Sequence, residues 1–446
     1  MTTLHKATRI RLKDFSSAPM RAFHMTWFAF FLCFFGWFGV APLMPVIRQE
    51  LHLTKDQIGN LTIASVSITI LVRLLIGWLC DRIGPRRAYT WLLVLGSIPV
   101  MTVGFAHDYT TFLIFRLAIG AIGASFVITQ YHTSVMFAPN IVGTANATAA
   151  GWGNLGGGVT QMVMPLLFTA FVGMGASTYM GWRLAMFVPG VMMLLAGIAY
   201  YNLTQDTADG DFVDLRRKAQ MASRASNKGA FLEACRDPRV WALFVVYGAC
   251  FGMELTIDNI AALYFTDYFG LGLTAAGIVA GSFGMMNLFA RALGGMVSDR
   301  LYTRWGLRGR TLLLGATICL EGLALMLFSR MSFLPLAIAA MMLTGLFIKM
   351  SNGATYAIVP FVNKRALGAV AGIVGAGGNL GSVMAGFLFK GSMPWTQALF
   401  GLGATICAVS VLVFVVRFSE AEEKAARTEV DARIAANLAS APAMGD

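Results

Sequence analysis

Two ten-residue stretches with the same spacing decide the fold of this chain. Residues 73–82 have the sequence Arg-Leu-Leu-Ile-Gly-Trp-Leu-Cys-Asp-Arg, and residues 291–300 have the sequence Arg-Ala-Leu-Gly-Gly-Met-Val-Ser-Asp-Arg. Both follow the pattern R-x-x-x-G-x-x-x-D-R. A second motif, Gly-Asn-Leu-Gly, occurs at 153–156 and again at 378–381, in the same order. Two motifs repeated in order indicate a chain built from two related halves.

The composition places these halves in a membrane. Of the 446 residues, 57% are hydrophobic and 13% are charged, whereas a soluble domain carries about 25% charged residues. Since a membrane helix needs about 20 apolar residues, we predict an all-α membrane protein with twelve transmembrane helices in two pseudo-symmetric six-helix halves. The predicted spans are 22–47, 60–80, 88–106, 111–136, 145–172, 183–203, 240–266, 275–298, 311–329, 332–358, 366–389 and 395–417.

The distribution of charge predicts the domain organisation and the topology. We expect an N-tail at 1–21, a first half at 22–203, a polar linker at 204–239, a second half at 240–417 and a C-tail at 418–446. Of the 34 Lys and Arg residues, 25 fall in the tails, the linker and the loops on the same side. Because basic residues mark the cytoplasmic side, both termini are expected in the cytoplasm and the spans in the inner (plasma) membrane. The net charge of +12 then reflects topology and not a nucleic-acid partner.

The end of each repeated stretch resembles the cytoplasmic loop motif of the major facilitator superfamily. That resemblance implies a latch, in which the Asp binds helix N-termini and basic residues of neighbouring helices on one side of a rocking cycle. The alternative is an ordinary basic cytoplasmic loop. The latch residues are Gly77, Asp81, Arg82, Arg86, Gly295, Asp299 and Arg300.

The two arginines that begin the repeated stretches are the strongest candidates for a substrate site. Arg73 and Arg291 precede their latch Asp by two helical turns, which places them about 12 Å deeper in the membrane. A buried arginine costs a few kcal/mol and stays charged, and neither span has a carboxylate at that depth. Two unpaired guanidiniums would bind a small anion. The alternative is that each binds backbone carbonyls or a carboxylate of another span.

Other residues could complete such a site. Gly153 and Gly378 would allow a helix or ligand to approach closely, or form only a packing groove. The neighbouring amides would donate to an anion, or only join helices. In the seventh span an aromatic and acidic stripe shares one helical face. These residues are Asn154 and Asn379, and the stripe Tyr247, Phe251, Glu254 and Asp258.

Several segments resemble the nitrate/nitrite porter family of the major facilitator superfamily. They are 23–28, 42–47, 251–259 and both Gly-Asn-Leu-Gly motifs. The resemblance implies that Arg73 and Arg291 clamp nitrate, that Tyr247 donates to it, that Asn154 lines its path and that Phe251 lies near it. The 251–259 segment is more similar to the proton-coupled branch than to nitrate/nitrite exchangers.

Energetics separate the functional alternatives. The chain has no G-x-x-x-x-G-K-[ST] loop, so we expect a secondary transporter, and the membrane potential opposes anion entry by about 2.3 kcal/mol per 100 mV. Uptake then requires nitrate/proton symport or exchange with nitrite. A sensor of anions that does not transport is a further alternative. Proton-coupling candidates are Glu254, Asp258, Lys349 and His132, although Lys349 could instead pair with Glu254 or Asp258.

An enzyme is not expected. The six cysteines form no C-x-x-C pair, and the five histidines are not spaced as ligands on a helix, so neither a metal nor a cofactor is predicted. The expected partners are nitrate, protons and the lipid bilayer, and the resemblance implies nitrite as a second anion. We expect a monomer.

Overall fold

The computed structural model describes residues 6–217, 229–271, 273–390 and 393–428, so parts of the linker and of the C-tail lie outside the described residues. The described residues form the seventeen α-helices named below, a further helical stretch at 420–428 and, apart from two isolated bridges, no β-structure. The helices are α1 (Ala18–Phe38), α2 (Met44–Glu50), α3 (Lys55–Ile83), α4 (Pro85–Thr102), α5 (Tyr109–Gly120), α6 (Ser125–Met136), α7 (Val142–Gly173), α8 (Thr178–Leu203), α9 (Phe212–Arg217), α10 (Ala230–Arg236), α11 (Pro238–Phe269), α12 (Leu273–Met285), α13 (Ala290–Trp305), α14 (Leu307–Ser329), α15 (Leu334–Val362), α16 (Leu367–Lys390) and α17 (Trp395–Val409).

Each predicted span coincides with one helix or with two segments joined by a 3₁₀ turn, which confirms the all-α membrane fold. The fourth span consists of α5 and α6, and the eighth of α12 and α13, which are separated by the 3₁₀ turn Met286–Leu288. Among the described residues, nine helical segments are long and apolar enough by themselves to cross a membrane. The predicted spans not among these nine coincide with α3, α7 and α12–α13, the helices that carry Arg73, Asn154 and Arg291.

The outer surface of the bundle is apolar. Large side chains such as Leu71, Leu166, Leu195 and Ile278 are exposed, and each lies on one of the long helices. A soluble protein rarely exposes so many large apolar groups together. This surface therefore suits the hydrocarbon region of a bilayer.

The halves meet along two pairs of helices. Helix α3 of the first half packs against α16, and α13 of the second half packs against α7. Glycines make this approach possible, because a Cβ on Gly77 would overlap the Gly368 carbonyl, and a Cβ on Gly295 would overlap the Gly143 carbonyl. The small residues thus bring the two backbones into direct contact.

These contacts lie at the tail-side end, defined as the end that carries the N-tail, the linker and the C-tail. There the N-tail residue Ala7 donates its amide to Met136 at 3.0 Å, and Glu423 of the C-tail accepts from the Leu307 amide at 3.0 Å. Towards the other end fewer contacts between the halves are described. A Cβ on Gly158, two turns beyond Gly151 on α7, would meet no described atom within 4 Å.

Candidate anion-binding site between the halves

Two buried arginines, one from each half, lie beside the same aromatic ring. Arg73 of α3 and Arg291 of α13 are 0% and 1% exposed. Their guanidinium carbons are 5.5 and 5.6 Å from the ring centroid of Phe251 on α11. Both distances are within the range of cation–π attraction. The repeat therefore brings its two arginines together in the interior, as their matching sequence positions predict.

Backbone carbonyls hold Arg73. Its Nε and Nη2 donate to the Gly123 carbonyl at 3.4 and 3.3 Å, and its Nη1 donates to the Gly375 carbonyl of α16. No carboxylate in the part of the chain that the structure describes forms an ion pair with Arg73. Carbonyl dipoles orient the guanidinium but do not cancel its charge. One alternative from the sequence, an arginine bound by carbonyls, is therefore the observed arrangement.

Arg291 has a carboxylate partner, which corrects the prediction that both guanidiniums are unpaired. Its Nη2 donates to Glu254 Oε2 at 2.8 Å. The side-chain oxygen of Asn154, in the amide orientation that its neighbours require, accepts from Arg291 Nη1 at 2.7 Å and from Nη2 at 3.3 Å. The prediction failed because Glu254 belongs to a different span, and sequence alone does not show which spans are neighbours.

Glu254 is the centre of a buried polar cluster. Besides Arg291, it accepts from Asn287 Nδ2 at 2.7 Å, from Lys349 Nζ at 3.1 Å and from Asn352 Nδ2 at 2.5 Å. A carboxyl that accepts from two cations and two amides is stabilised in its ionised form. The predicted alternative in which Lys349 pairs with Glu254 is thus the arrangement observed.

The cluster retains positive charge. Arg73, Arg291 and Lys349 are three buried cations, and Glu254 is the carboxylate that pairs with two of them. In this set of residues two positive charges are left over. Uncompensated buried charge is costly in a membrane protein and marks a binding site for a counter-ion.

Three buried polar groups beside the arginines have no hydrogen-bond partner among the described residues. They are the Tyr247 hydroxyl, both side-chain atoms of Asn379 and Arg291 Nε. Tyr247 stacks on Phe251, with ring centroids 5.2 Å apart, and both arginines act on it electrostatically. Since buried polar groups are nearly always hydrogen-bonded, these groups are available to a ligand. Tyr247 and Asn379 are both among the residues that the sequence analysis named for the site, and their role in binding stays a prediction.

The predicted glycines adjoin aromatic rings. A Cβ on Gly378 would lie 2.6 Å from Phe251 Cδ1 and 2.9 Å from Tyr247 Cδ1, and a Cβ on Gly153 would overlap the Phe30 ring. Both glycines thus let a ring pack directly on a helix backbone. For Gly378 that ring is the one between the arginines.

Two proton-coupling candidates form no hydrogen bond with Glu254 among the described residues. Asp258, one turn beyond Glu254 on α11, is exposed and forms no ion pair within the described residues, but Lys349, Glu254 and Arg291 act on its carboxyl electrostatically. His132 is buried beside the linker, where Nδ1 is 2.6 Å from the Tyr200 hydroxyl and Nε2 is 2.8 Å from the Gln205 carbonyl. The structure therefore does not bring His132 to Glu254.

The latch aspartates bind helix N-termini of the opposite half. Asp81 accepts from the amides of Gly368 and Ala369 at 3.2 and 3.1 Å, at the start of α16. Asp299 accepts from the amides of Gly143 and Thr144 at 3.2 and 2.6 Å, at the start of α7. Arg310 forms an ion pair with Asp299 at 2.7 Å. A carboxylate at a helix N-terminus is favoured by unpaired amides and by the helix dipole.

The three basic latch residues make different contacts. Arg86 forms an ion pair with Asp211 of the linker, and its backbone amide donates to Asp206 at 3.0 Å. Burial raises the pKa of Asp206 to about 6, so this carboxyl is ionised at neutral pH. Arg82 packs over the Trp78 ring at 5.0 Å, and Arg300 is exposed. Arg86 thus fastens the linker to its own half.

Sequence reasoning missed part of the site. Asn287 and Asn352 bind Glu254, and Phe126 packs on Arg73 with a centroid distance of 5.3 Å. A signal existed for the two amides, because Asn287 is one turn before Arg291 and Asn352 is one turn after Lys349. Glu321 was missed as well, although it stands alone among acids within the apolar span α14.

Two helical halves interlocked at one end, with a buried cationic cluster between them, define a secondary membrane transporter. The family profile of the Major Facilitator Superfamily matches residues 26–360. Solved structures show the same fold. The proton:xylose symporter XylE has a TM-score of 0.70 at 12% identity and covers 90% of this chain and 96% of its own. The human organic anion transporter MFSD10 has a TM-score of 0.64 at 13% identity and covers 90% and 99%.

Curated relatives are closer in sequence. High affinity nitrate transporter 2.5 of Arabidopsis thaliana is 39% identical over 91% of this chain and 82% of its own length. High-affinity nitrate transporter 2.3 of Oryza sativa subsp. japonica is 38% identical over 93% and 81%. Nitrate/nitrite transporter NrtP of Nostoc punctiforme is 31% identical over 89% and 92%. The chain therefore belongs to the Major Facilitator Superfamily and, within it, to the family of these nitrate transporters. It is a multi-pass membrane transporter and not an enzyme.

Proposed function

We propose that this protein carries nitrate across the plasma membrane by alternating access, coupled to protons. The named relatives are nitrate transporters, and the neighbour XylE is a proton symporter of the same fold. A monovalent anion that enters against the membrane potential needs a co-transported cation or a counter-anion. Proton symport supplies the first of these.

The observation that carries the proposal is the surplus of positive charge beside unsatisfied donors. Two positive charges are left over among Arg73, Arg291, Lys349 and Glu254. Nitrate is flat and has three equivalent oxygen acceptors, so it suits a site with guanidinium and hydroxyl donors. One nitrate would reduce the surplus charge without cancelling it.

Each site residue has a role in this proposal. Arg73 and Arg291 clamp nitrate from the two halves, and Tyr247 and Asn379 donate to it with groups that have no partner among the described residues. Asn154 orients Arg291, and Phe251 sets the spacing of the two guanidiniums. Because the clamp spans both halves, motion of one half against the other assembles and opens it.

The latch contacts give the proposed cycle its direction. We place the tail-side end in the cytoplasm, because most basic residues in loops and tails lie there. Asp81 and Asp299 close that end, and in the proposed cycle this latched state is the one that opens to the outside. Both halves and the complete clamp come from one chain, which supports a monomer in the bilayer as the functional unit.

Exchange of nitrate for nitrite is the second candidate, since the relative from Nostoc punctiforme is a nitrate/nitrite transporter. Uptake into proteoliposomes, with the pH gradient and the membrane potential imposed independently, separates the two. Symport predicts nitrate accumulation driven by an inward proton gradient with empty vesicles. Uptake that requires internal nitrite and ignores the pH gradient would replace symport by exchange, and no nitrate uptake under either condition would reject both.

A further inference from the structure

A second buried carboxyl lies behind the cationic cluster. Glu321 is in the middle of α14, and its side chain is 0% exposed. Neither Oε1 nor Oε2 has a hydrogen-bond partner among the described residues. In Glu254, by contrast, both carboxyl oxygens accept hydrogen bonds. The two buried glutamates therefore differ in whether their carboxyl oxygens have hydrogen-bond partners.

The surroundings of Glu321 contain dipoles and acids. The groups that act on it from packed helices are Ser351 of α15, Cys250 and Glu254 of α11, and Cys407 of α17. None of these described groups is a cation. Helix α13 also packs on α14, but its polar contacts are made with Arg310, which is about three turns from Glu321 along α14. The segment 410–415, which packs on α14 as well, has no ionisable residue.

A carboxyl in this position holds its proton. Ionising it without a cation or a hydrogen-bond donor would bury an uncompensated charge, which is costly in such an environment. The Ser351 hydroxyl acts on the Glu321 carboxyl, yet neither group completes a hydrogen bond within the described residues. Glu321 is thus a neutral acid in this conformation.

One turn of α15 connects the two carboxyls. Lys349 and Asn352 bind Glu254, and Ser351, between them in sequence, faces Glu321. A shift or rotation of this turn would change the surroundings of both glutamates at once. The ammonium of Lys349 sits on a flexible stem, so it could follow such a shift of the turn.

We propose that Glu321 is the site that binds the transported proton and that Glu254 is the fixed counter-charge of the clamp. This inference rests on the proposed proton-coupled nitrate transport. The step is a simple proton transfer, in which the O–H bond of Glu321 breaks and the proton passes to water. Because Glu321 is fully buried here, that exchange occurs in another conformation of the cycle.

The charge of Glu321 couples proton binding to nitrate binding in this proposal. With Glu321 neutral, the cluster of Arg73, Arg291, Lys349 and Glu254 keeps two positive charges for nitrate. If Glu321 ionises, its charge acts on the same cluster and weakens the attraction for the anion. Proton binding and nitrate binding therefore strengthen each other, and thermodynamic linkage makes this effect reciprocal.

The test is Glu321→Gln in proteoliposomes, because Gln resembles the protonated acid. We expect nitrate/nitrate exchange to remain, while accumulation driven by an inward pH gradient and the accompanying proton uptake are lost. The matched control is Glu420→Gln in the exposed C-tail, which should accumulate nitrate as the wild type does.

Each outcome decides a specific claim. If the wild type shows no pH-driven nitrate accumulation, the proposed symport itself fails. If the wild type accumulates nitrate and Glu321→Gln does so equally, the assignment of Glu321 is overturned while symport stands. Loss of exchange together with accumulation in a variant of normal thermal stability would assign Glu321 a structural role and also overturn it.

A second variant covers the case in which Glu321→Gln does not fold. Glu321→Asp keeps an acid but moves it by one methylene. We expect it to retain pH-driven accumulation, with the pH dependence of the apparent nitrate KM shifted relative to the wild type. An unchanged pH profile would show that the proton is carried elsewhere.

Discussion

The two arginines differ in how the protein holds them. Arg73 is fixed by carbonyls of both halves, whereas Arg291 is fixed by a carboxylate and an amide. Arg73 thus keeps its full charge, and Arg291 shares its charge with Glu254. In the proposed mechanism, this asymmetry within a symmetric repeat would let Arg73 attract the anion and Arg291 respond to the charge of the cluster.

Replacing either arginine by lysine is expected to impair transport. Lysine keeps the charge but loses the planar fork of donors, so Arg73→Lys and Arg291→Lys should each lower the rate of nitrate uptake by about tenfold or more. Radiolabelled uptake at equal protein levels measures this effect. Arg304→Lys, an exposed position on the same helix as Arg291, is the control. Normal uptake by both site variants would remove the clamp from the mechanism.

Glu254 is expected to act mainly by neutralising its neighbours. Glu254→Gln leaves Lys349 and Arg291 without their carboxylate and should destabilise the protein by about 3 kcal/mol. The double variant with Lys349→Met should recover part of that loss. Thermal unfolding in detergent gives the comparison. If Glu254→Gln unfolds like the wild type, exchanges nitrate and loses only accumulation, then Glu254 and not Glu321 carries the proton.

Among the helices, the glycine-rich helix α16 determines how closely its neighbours pack beside the site. It packs on α3 through Gly368 and Gly372 and on α11 through Gly377 and Gly381. These glycines let α16, a helix of the second half, pack closely on the backbone of α3 in the first half and of α11 in its own half. In the proposed cycle, movement of α3 would therefore reach the ring of Phe251 through α16.

A single methyl group on α16 should be enough to disturb the clamp. In Gly378→Ala the new Cβ lies too close to Phe251 and Tyr247, so we expect slower nitrate uptake, and a larger loss in Gly378→Leu. Gly386→Ala on the same helix is the matched control, since a Cβ there meets no described atom within 4 Å. Equal uptake in all three variants would mean that the position of the rings does not matter for transport.

For the molecule as a whole, the distribution of contacts explains the state observed. Asp81 and Asp299 join the two halves at the tail-side end, whereas a Cβ on Gly158, towards the other end, would meet no described atom within 4 Å. Rocking the halves must break these carboxylate–amide bonds. Each such bond stabilises the described state by an amount typical of charged hydrogen bonds.

Weakening one latch should therefore shift the population of states. In a Gly158→Cys background, a membrane-impermeant thiol reagent added outside should label position 158 in the latched state. Adding Asp81→Asn should reduce the labelling rate by about tenfold. Asp108→Asn is the control, because Asp108 caps α5 within its own half through the Thr111 amide at 2.8 Å. An unchanged labelling rate with Asp81→Asn would show that the latch does not hold this state.

The sequence by itself determined the elements and their topology. Twelve apolar runs, a polar linker and two repeated motifs were sufficient, because hydrophobic length fixes membrane helices and repetition fixes their pairing into halves. It also singled out Arg73 and Arg291, since a permanent charge within an apolar run is visible without any structure. The contact of each latch Asp with a helix N-terminus was expected from the resemblance of the motif to that of the major facilitator superfamily.

Only the tertiary structure decided which charges meet. That Glu254 pairs with Arg291 and Lys349, that Arg73 is held by carbonyls and that Glu321 remains without a partner among the described residues all depend on which helices are neighbours. The physical reason is the short range of these interactions. Hydrogen bonds and buried ion pairs form within a few ångströms, between residues far apart in the chain, and a linear pattern contains no such distance.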